Sequence, residues 1–211
     1  DRGEIISAEQ YKILQSFERE SVRRTDPSEG FWQVVTGQTI FMLCVITSLV
    51  VYLHLFRREY LHSPHSIFLL SSLIAIFPII TYLMVDHKVL NVYMVPYAMV
   101  PIFVRIFMDS RTAFMAMVCT IILSSFALHS NYEFVIVQFM TGATVIYALR
   151  DLSERSQLLR VVFTVVVTSS IIMLGYDLSQ GIDFLHLDRS MYIYNVMNGV
   201  LLLFAYPLLY L

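Results

Sequence analysis

Seven apolar runs fill most of this chain, at 32–56, 66–84, 91–108, 112–129, 132–149, 158–176 and 191–211. Hydrophobic residues make up 57% of the sequence and charged residues 14%, and the mean hydropathy is +0.69. A soluble domain of this size has no interior large enough for that much apolar surface. Lipid is the solvent that accepts it. A helix of ~20 apolar residues crosses a hydrocarbon layer of ~30 Å. In lipid it must also satisfy its own backbone hydrogen bonds. The expected fold is therefore all-α: a polytopic transmembrane bundle of about seven spans. Several runs are short, and hydropathy leaves open whether they cross fully, tilt or re-enter. So few residues separate 91–108 from 112–129 that these two must form a tight helical hairpin.

The near-neutral balance, formal charge −2 with a pI near 6.3, offers no basic stripe to neutralise phosphates, so no nucleic-acid partner is expected. Cys44 and Cys119 lie inside apolar runs and read as small packing residues, with no disulfide framework and no CxxC spacing. No nucleophile elbow or phosphate-cradling glycine loop is present. The chain begins at Asp1 and ends at Leu211 within an apolar run. The expectation is a piece of a longer protein, with soluble parts beyond both ends.

Residues 1–30 differ from the rest. Ser7 with Gln10 suits a capping box, and Tyr11, Ile13, Leu14 and Phe17 recur at helical spacing. Thr25-Asp26-Pro27-Ser28-Glu29-Gly30 then breaks the helix, and Phe31 and Trp32 suit an interfacial belt. If the first span enters from outside, Arg57, Arg58, Arg105, Arg111, Arg150, Arg155 and Arg160 all fall on the inner side. The outer loops then carry Lys88 and Arg189 among Asp86, Asp177, Asp183 and Asp188. Arginine-rich loops are cytoplasmic, which places the N-terminus outside and the C-terminus in the cytoplasm. The N-terminal segment adds Arg2, Lys12, Arg19, Arg23 and Arg24 to the outer side and evens the totals. It reads as the tail of a folded domain, and folded domains translocate largely regardless of charge.

The stretch 95–113 holds the densest local signal. Pro96 and Pro101, five apart, break the backbone ladder within one span, so the freed carbonyls need partners and a kinked helix is expected. Arg105 and Asp109 stand at i and i+4, where they could pair. The plainer reading has Arg105 snorkelling to the interface and Asp109-Ser110 capping the next helix. Elsewhere, His62 and His65 flank Pro64 without a carboxylate or Cys cluster, so no metal site is assigned. His54 and His129 read as interfacial polar residues. Thr36, Gln38 and Thr39, then Gln138, Thr141 and Thr144 with Gly142, then Asn195 and Asn198 before Gly199, sit within spans. They read first as interhelical hydrogen-bonding groups and second as a polar cavity for a ligand.

The segments PYAMVPIFVRIFMDSRTA, NYEFVIVQFMTG and YALRDLSERSQLLR resemble the membrane domain of bacterial seven-transmembrane receptors with an intracellular HD hydrolase, in the manner of Bacteroidetes members. RGEIISAEQYKILQSFERE is similar to the segment closing that family's extracellular domain. The resemblance implies that residues 1–30 end an extracellular sensor domain and its linker, and that 31–211 form the membrane bundle. It further implies a cytoplasmic HD domain that hydrolyses cyclic di-AMP with divalent metals, in a multi-pass protein of the bacterial cytoplasmic (inner) membrane. This chain has no His-Asp dipeptide; Asp86-His87 runs in reverse order. The segment itself is therefore expected to carry no catalytic residue, metal or cofactor.

The leading expectation is a signal-relay module coupling sensor to hydrolase. Its candidate signalling residues are Pro96, Pro101, Arg105, Asp109 and Arg111, and its candidate cytoplasmic contacts are Arg150, Arg155 and Arg160. Its partners are the bilayer, its own extracellular and HD domains, and a second copy in a homodimer. The alternatives are a small-molecule or ion transporter or channel, favoured by broken helices but lacking midplane charges, and a passive anchor and dimerisation platform.

Overall fold

The computed structural model describes residues 11–12, 15–16, 30–87, 91–128, 131–149, 156–183 and 187–204. The expected capping box at Ser7, the apolar positions Ile13, Leu14 and Phe17, the breaker at 25–29, Lys88, His129, Arg150 and Arg155, and the end of the seventh run at 205–211 lie outside them. Among the described residues the regular structure is helical, with no strand. The helices are α1 (Gly30–Phe56), α2 (Arg58–His62), α3 (Pro64–His87), a 3-10 turn (Val92–Met94), α4 (Met99–Phe107), α5 (Ser110–Ala127), α6 (Tyr132–Ala148), α7 (Ser156–Ser179) and α8 (Arg189–Leu203). Four of them are long and apolar enough to cross a membrane, over Trp32–Phe56, Pro64–Asp86, Ser110–Ala127 and Leu159–Ser179. Val92–Phe107 and Tyr132–Ala148 are apolar but shorter.

By its internal contacts the chain divides into Asp1–Cys44 and Val45–Leu211. In the first unit, the hydroxyls of Thr36 and Thr39 donate to Trp32 O at 2.6 Å and Val35 O at 2.8 Å. The helix thus absorbs its own polar groups, as lipid demands.

In the second unit the helix ends follow local chemistry. Ser63 precedes Pro64, and its φ −97° and ψ 112° are the extended backbone a following proline imposes. That ends α2, and Pro64 opens α3 at the position where its missing N–H costs nothing. Asp109, Asn131 and Asp188 cap α5, α6 and α8, each accepting a backbone N–H from its first turn. The hairpin expected between the runs 91–108 and 112–129 is present: Met108 and Asp109 alone separate α4 from α5, and the two helices pack together.

The core runs along α5, which packs on α3, α4 and α6. Small residues on α5 (Ala113, Ala116, Thr120, Ser124) are fully buried. In lipid, helices associate by close approach, since tails are as apolar as Leu, and small residues permit that approach. Phe77, Tyr97 and Phe134 form an aromatic column through the core, with centroids 5.4 Å and 5.1 Å apart. The Tyr97 hydroxyl meets that of Thr81, which donates onward to Phe77 O. Two glycines seat the remaining contacts. A Cβ on Gly199 of α8 would stand 2.3 Å from Val166 Cγ2 of α7, and one on Gly142 of α6 would stand 2.0 Å from Met117 Sδ of α5.

Contacts between connections define two ends of this unit. Arg57, after α1, meets Asp109, between α4 and α5. At the opposite end Tyr93, Glu133 at the start of α6, Tyr176 and Asp177 near the end of α7, and Tyr192 at the start of α8 face one another. Successive segments therefore alternate in direction.

Candidate functional site

The third apolar run is not one kinked helix. It divides into a 3-10 turn, an extended Val95 and the nine-residue α4. Pro96 has no N–H to give to Val92 O, and that carbonyl takes the Val95 N–H instead, at 3.0 Å. The Tyr97 N–H turns to Val95 O at 2.8 Å, away from the Tyr93 carbonyl it would meet in a helix. Met99 N then donates to Pro96 O at 2.9 Å, and α4 begins. Pro101 falls in the first turn of α4, where helical N–H groups lack intrahelical acceptors, so it causes no kink. The expectation of one kinked helix is corrected on this point. Pro96 breaks the segment, and Pro101 starts the helix that follows.

The freed carbonyls find their partner on the last helix. Asn198 of α8 donates both amide protons of Nδ2, to Tyr93 O and Val95 O, each at 3.0 Å. Two carbonyl acceptors fix the amide orientation, because the flipped form would set oxygen against oxygen. Asn198 is 5% exposed, so these bonds are shielded from competing donors. One turn earlier, Asn195 donates to Val166 O at 3.2 Å and Ser170 Oγ at 2.9 Å, and its Oδ1 lies 2.7 Å from Ser169 Oγ. Asn195 thus binds α8 to α7, and Asn198 binds α8 to the broken segment. Gln138 and Thr141 of α6 complete a buried polar seam around a cavity of about 10 Å³, roughly the space of a single water. Thr141 Oγ1 and Asn198 Oδ1 in that lining have no protein partner. Thr144, by contrast, donates to Met140 O of its own helix.

A second constellation lies at the Arg57 end. Asp109 Oδ2 accepts from Arg57 Nη2 at 3.0 Å and from the Arg111 N–H at 3.2 Å, and Oδ1 accepts from Thr112 Oγ1 at 2.5 Å. Tyr52 Oη stands 3.5 Å from the same Thr112 hydroxyl. Partial burial works against the Asp109 carboxylate. The donors Thr112, Arg57 and Arg111 and the Arg57 charge outweigh it, holding the group below its usual pKa. Arg57 is raised, chiefly by its hydrogen bond to Asp109.

Of the candidate signalling residues, Asp109 and Arg111 meet in the cap of α5. Arg105 does not pair with Asp109. The helix ends at Phe107, Met108 takes φ −135° and ψ −127°, and the i, i+4 geometry is lost. Among the described residues Arg105 makes no ion pair, and its buried Nε has no partner. Arg160 is exposed; Arg150 and Arg155 lie outside the described residues. Sequence reasoning missed Arg57 as the partner of Asp109, because 52 residues separate them. It named Asn198 without its acceptors. The available signal was the pairing of carbonyls freed at Pro96 with a buried amide elsewhere. His62 Nδ1 lies 2.8 Å from Arg58 O. No group of three His, Cys, Asp or Glu gathers among the described residues.

Apolar helices of membrane-crossing length, alternating segments and a broken segment pinned by a buried amide define a multi-pass helical membrane domain. Residues 32–211 match the family described as 7TM receptor with intracellular HD hydrolase, and the chain belongs to that family. No curated protein and no solved structure matches it.

Proposed function

We propose that this domain relays the state of an extracellular sensor to a cytoplasmic HD phosphohydrolase acting on cyclic di-AMP. The observation that carries this reading is the hold of Asn198 on Tyr93 O and Val95 O. It ties a segment with no continuous helical ladder to the last helix, and the last helix precedes the hydrolase in the family's arrangement. A ligand or sensor state acts only through a difference in affinity for two arrangements. A broken segment held by two hydrogen bonds offers two such arrangements, held or released.

In this reading the seven segments cross the bacterial inner membrane with the N-terminus outside. Residues 1–30 close the sensor domain and its linker, 31–211 form the bundle, and the divalent metals belong to the hydrolase. A second copy of the chain completes a homodimer, and the Arg150–Arg160 connection meets the cytoplasmic domain. The alternation of segment ends and the Arg57–Asp109 pair at one end support that threading.

The test is cyclic di-AMP turnover by the full-length protein in membranes, with and without its sensor domain. The same protein carrying an unrelated seven-span bundle serves for comparison. The relay predicts that the sensor's effect on turnover disappears with the foreign bundle. An unchanged effect would leave this domain as an anchor.

A further inference from the structure

The small cavity among α6, α7 and α8 is lined by two polar atoms that the helices leave unused. Thr141 Oγ1 and Asn198 Oδ1 are both buried there without a hydrogen-bond partner. Their residues are 3% and 5% exposed.

Thr141 departs from the habit of the other buried threonines. A hydroxyl inside a helix ordinarily donates to the carbonyl one turn back. Thr81 and Thr120, both fully buried, do so to Phe77 O at 2.9 Å and Ala116 O at 2.8 Å. Thr144, on the same helix as Thr141, does so to Met140 O at 2.9 Å. The Thr141 hydroxyl makes no such bond, which leaves its proton for the cavity. Asn198 commits both amide protons to Tyr93 O and Val95 O, and its remaining oxygen only accepts. The neighbouring Ser169 hydroxyl is already engaged, with Val165 O at 2.6 Å and Asn195 Oδ1 at 2.7 Å. Gln138, 6% exposed and one turn before Thr141, adds an amide to the lining.

In lipid no bulk water reaches such groups, and leaving them unpaired is costly. A cavity of one-probe size with two to four polar partners is what a buried water needs. The volume of about 10 Å³ admits nothing larger, and the lining carries no charged side chain to hold an ion.

We propose that this cavity is the binding site of one ordered water. The water accepts the Thr141 proton and donates one of its own to Asn198 Oδ1, with the second turned to the Gln138 amide. It thereby ties α6 to the side chain through which α8 holds the broken segment. The site is independent of the relay, because its test reads stability and labelling alone.

The experiment uses the purified chain in lipid nanodiscs. Thr141→Val keeps the shape of the side chain and removes the hydroxyl. An unpaired hydroxyl would be relieved by that change, and the melting temperature would rise. A hydroxyl that holds the water is missed, because Asn198 Oδ1 is then stranded. The melting temperature should fall by about 2–4 °C. Radiolytic hydroxyl-radical labelling, which marks side chains beside ordered water, is the second measurement. Val137 and Val165 line the cavity, whereas Val145 and Val161 are as deeply buried and do not. In wild type and in Thr141→Ser the first pair should be labelled severalfold more than the second. In Thr141→Val that excess should disappear. An unchanged or higher melting temperature in Thr141→Val, or equal labelling of the two pairs in wild type, would overturn the site.

Discussion

Arg57 Nη2 lies 3.0 Å from Asp109 Oδ2, joining the connection after α1 to the hairpin turn between α4 and α5. Asp109 also caps α5 through the Arg111 N–H. One carboxylate thus ends one helix contact and begins another.

The depressed Asp109 pKa sets a direction for acid stability. Its folded value lies below the ordinary value of 3.8. Its stabilising contribution is therefore fully present above that value and is lost as pH falls through the folded one. Thermal unfolding in nanodiscs should show wild type more stable than Asp109→Asn at neutral pH, with the gap closing below about pH 4. A gap that widens on acidification would contradict the assignment.

Asn198→Leu leaves Tyr93 O without its donor, at a cost of about 1–3 kcal/mol, and leaves Val95 O with the Tyr97 N–H alone; the lower end is expected in a membrane, where the reference state also finds partners. Asn195→Leu should cost less. Ser169 can fall back on Val165 O, 2.6 Å away in its own helix. Unfolding of both variants under the same conditions measures the difference, and equal losses would argue against the special role of Asn198.

Gly199→Ala should destabilise by about 1–3 kcal/mol, because the new methyl meets a stiff β-branched Val166. Gly142→Ala should cost less, since it meets the sulfur of Met117, which can swing aside. The reverse order in melting experiments would show that α7 and α8 do not pack through Gly199.

Orientation is checked by a single-cysteine tag at Ser153→Cys, with Cys44 and Cys119 replaced. A membrane-impermeant reagent should label it only from the cytoplasmic side, because Arg150, Arg155 and Arg160 flank it. Labelling in intact cells would reverse the threading and with it the direction of the relay.

Where the sequence was periodic and apolar, the helices were readable to within a few residues. The run at 66–84 became Pro64–His87 and that at 132–149 became Tyr132–Ala148. Pro96 announced broken hydrogen bonding, and the need for outside partners followed from chemistry alone. What that reasoning could not supply was distance along the chain. Asn198 lies 105 residues from Tyr93, and Arg57 lies 52 from Asp109. Local spacing instead suggested Arg105, which is near in sequence but cut off by the end of α4. The Tyr93–Glu133–Asp177–Tyr192 cluster draws one residue from each of four segments, so no motif marks it.

The most direct test compares cyclic di-AMP turnover by the full-length protein in membranes, intact or lacking the sensor domain, in wild type and in Asn198→Leu. The relay predicts that sensor removal changes turnover in wild type and that the change vanishes in the variant, while Asn195→Leu keeps at least part of it. The same change in wild type and Asn198→Leu would contradict a signal carried through the amide that holds Tyr93 and Val95.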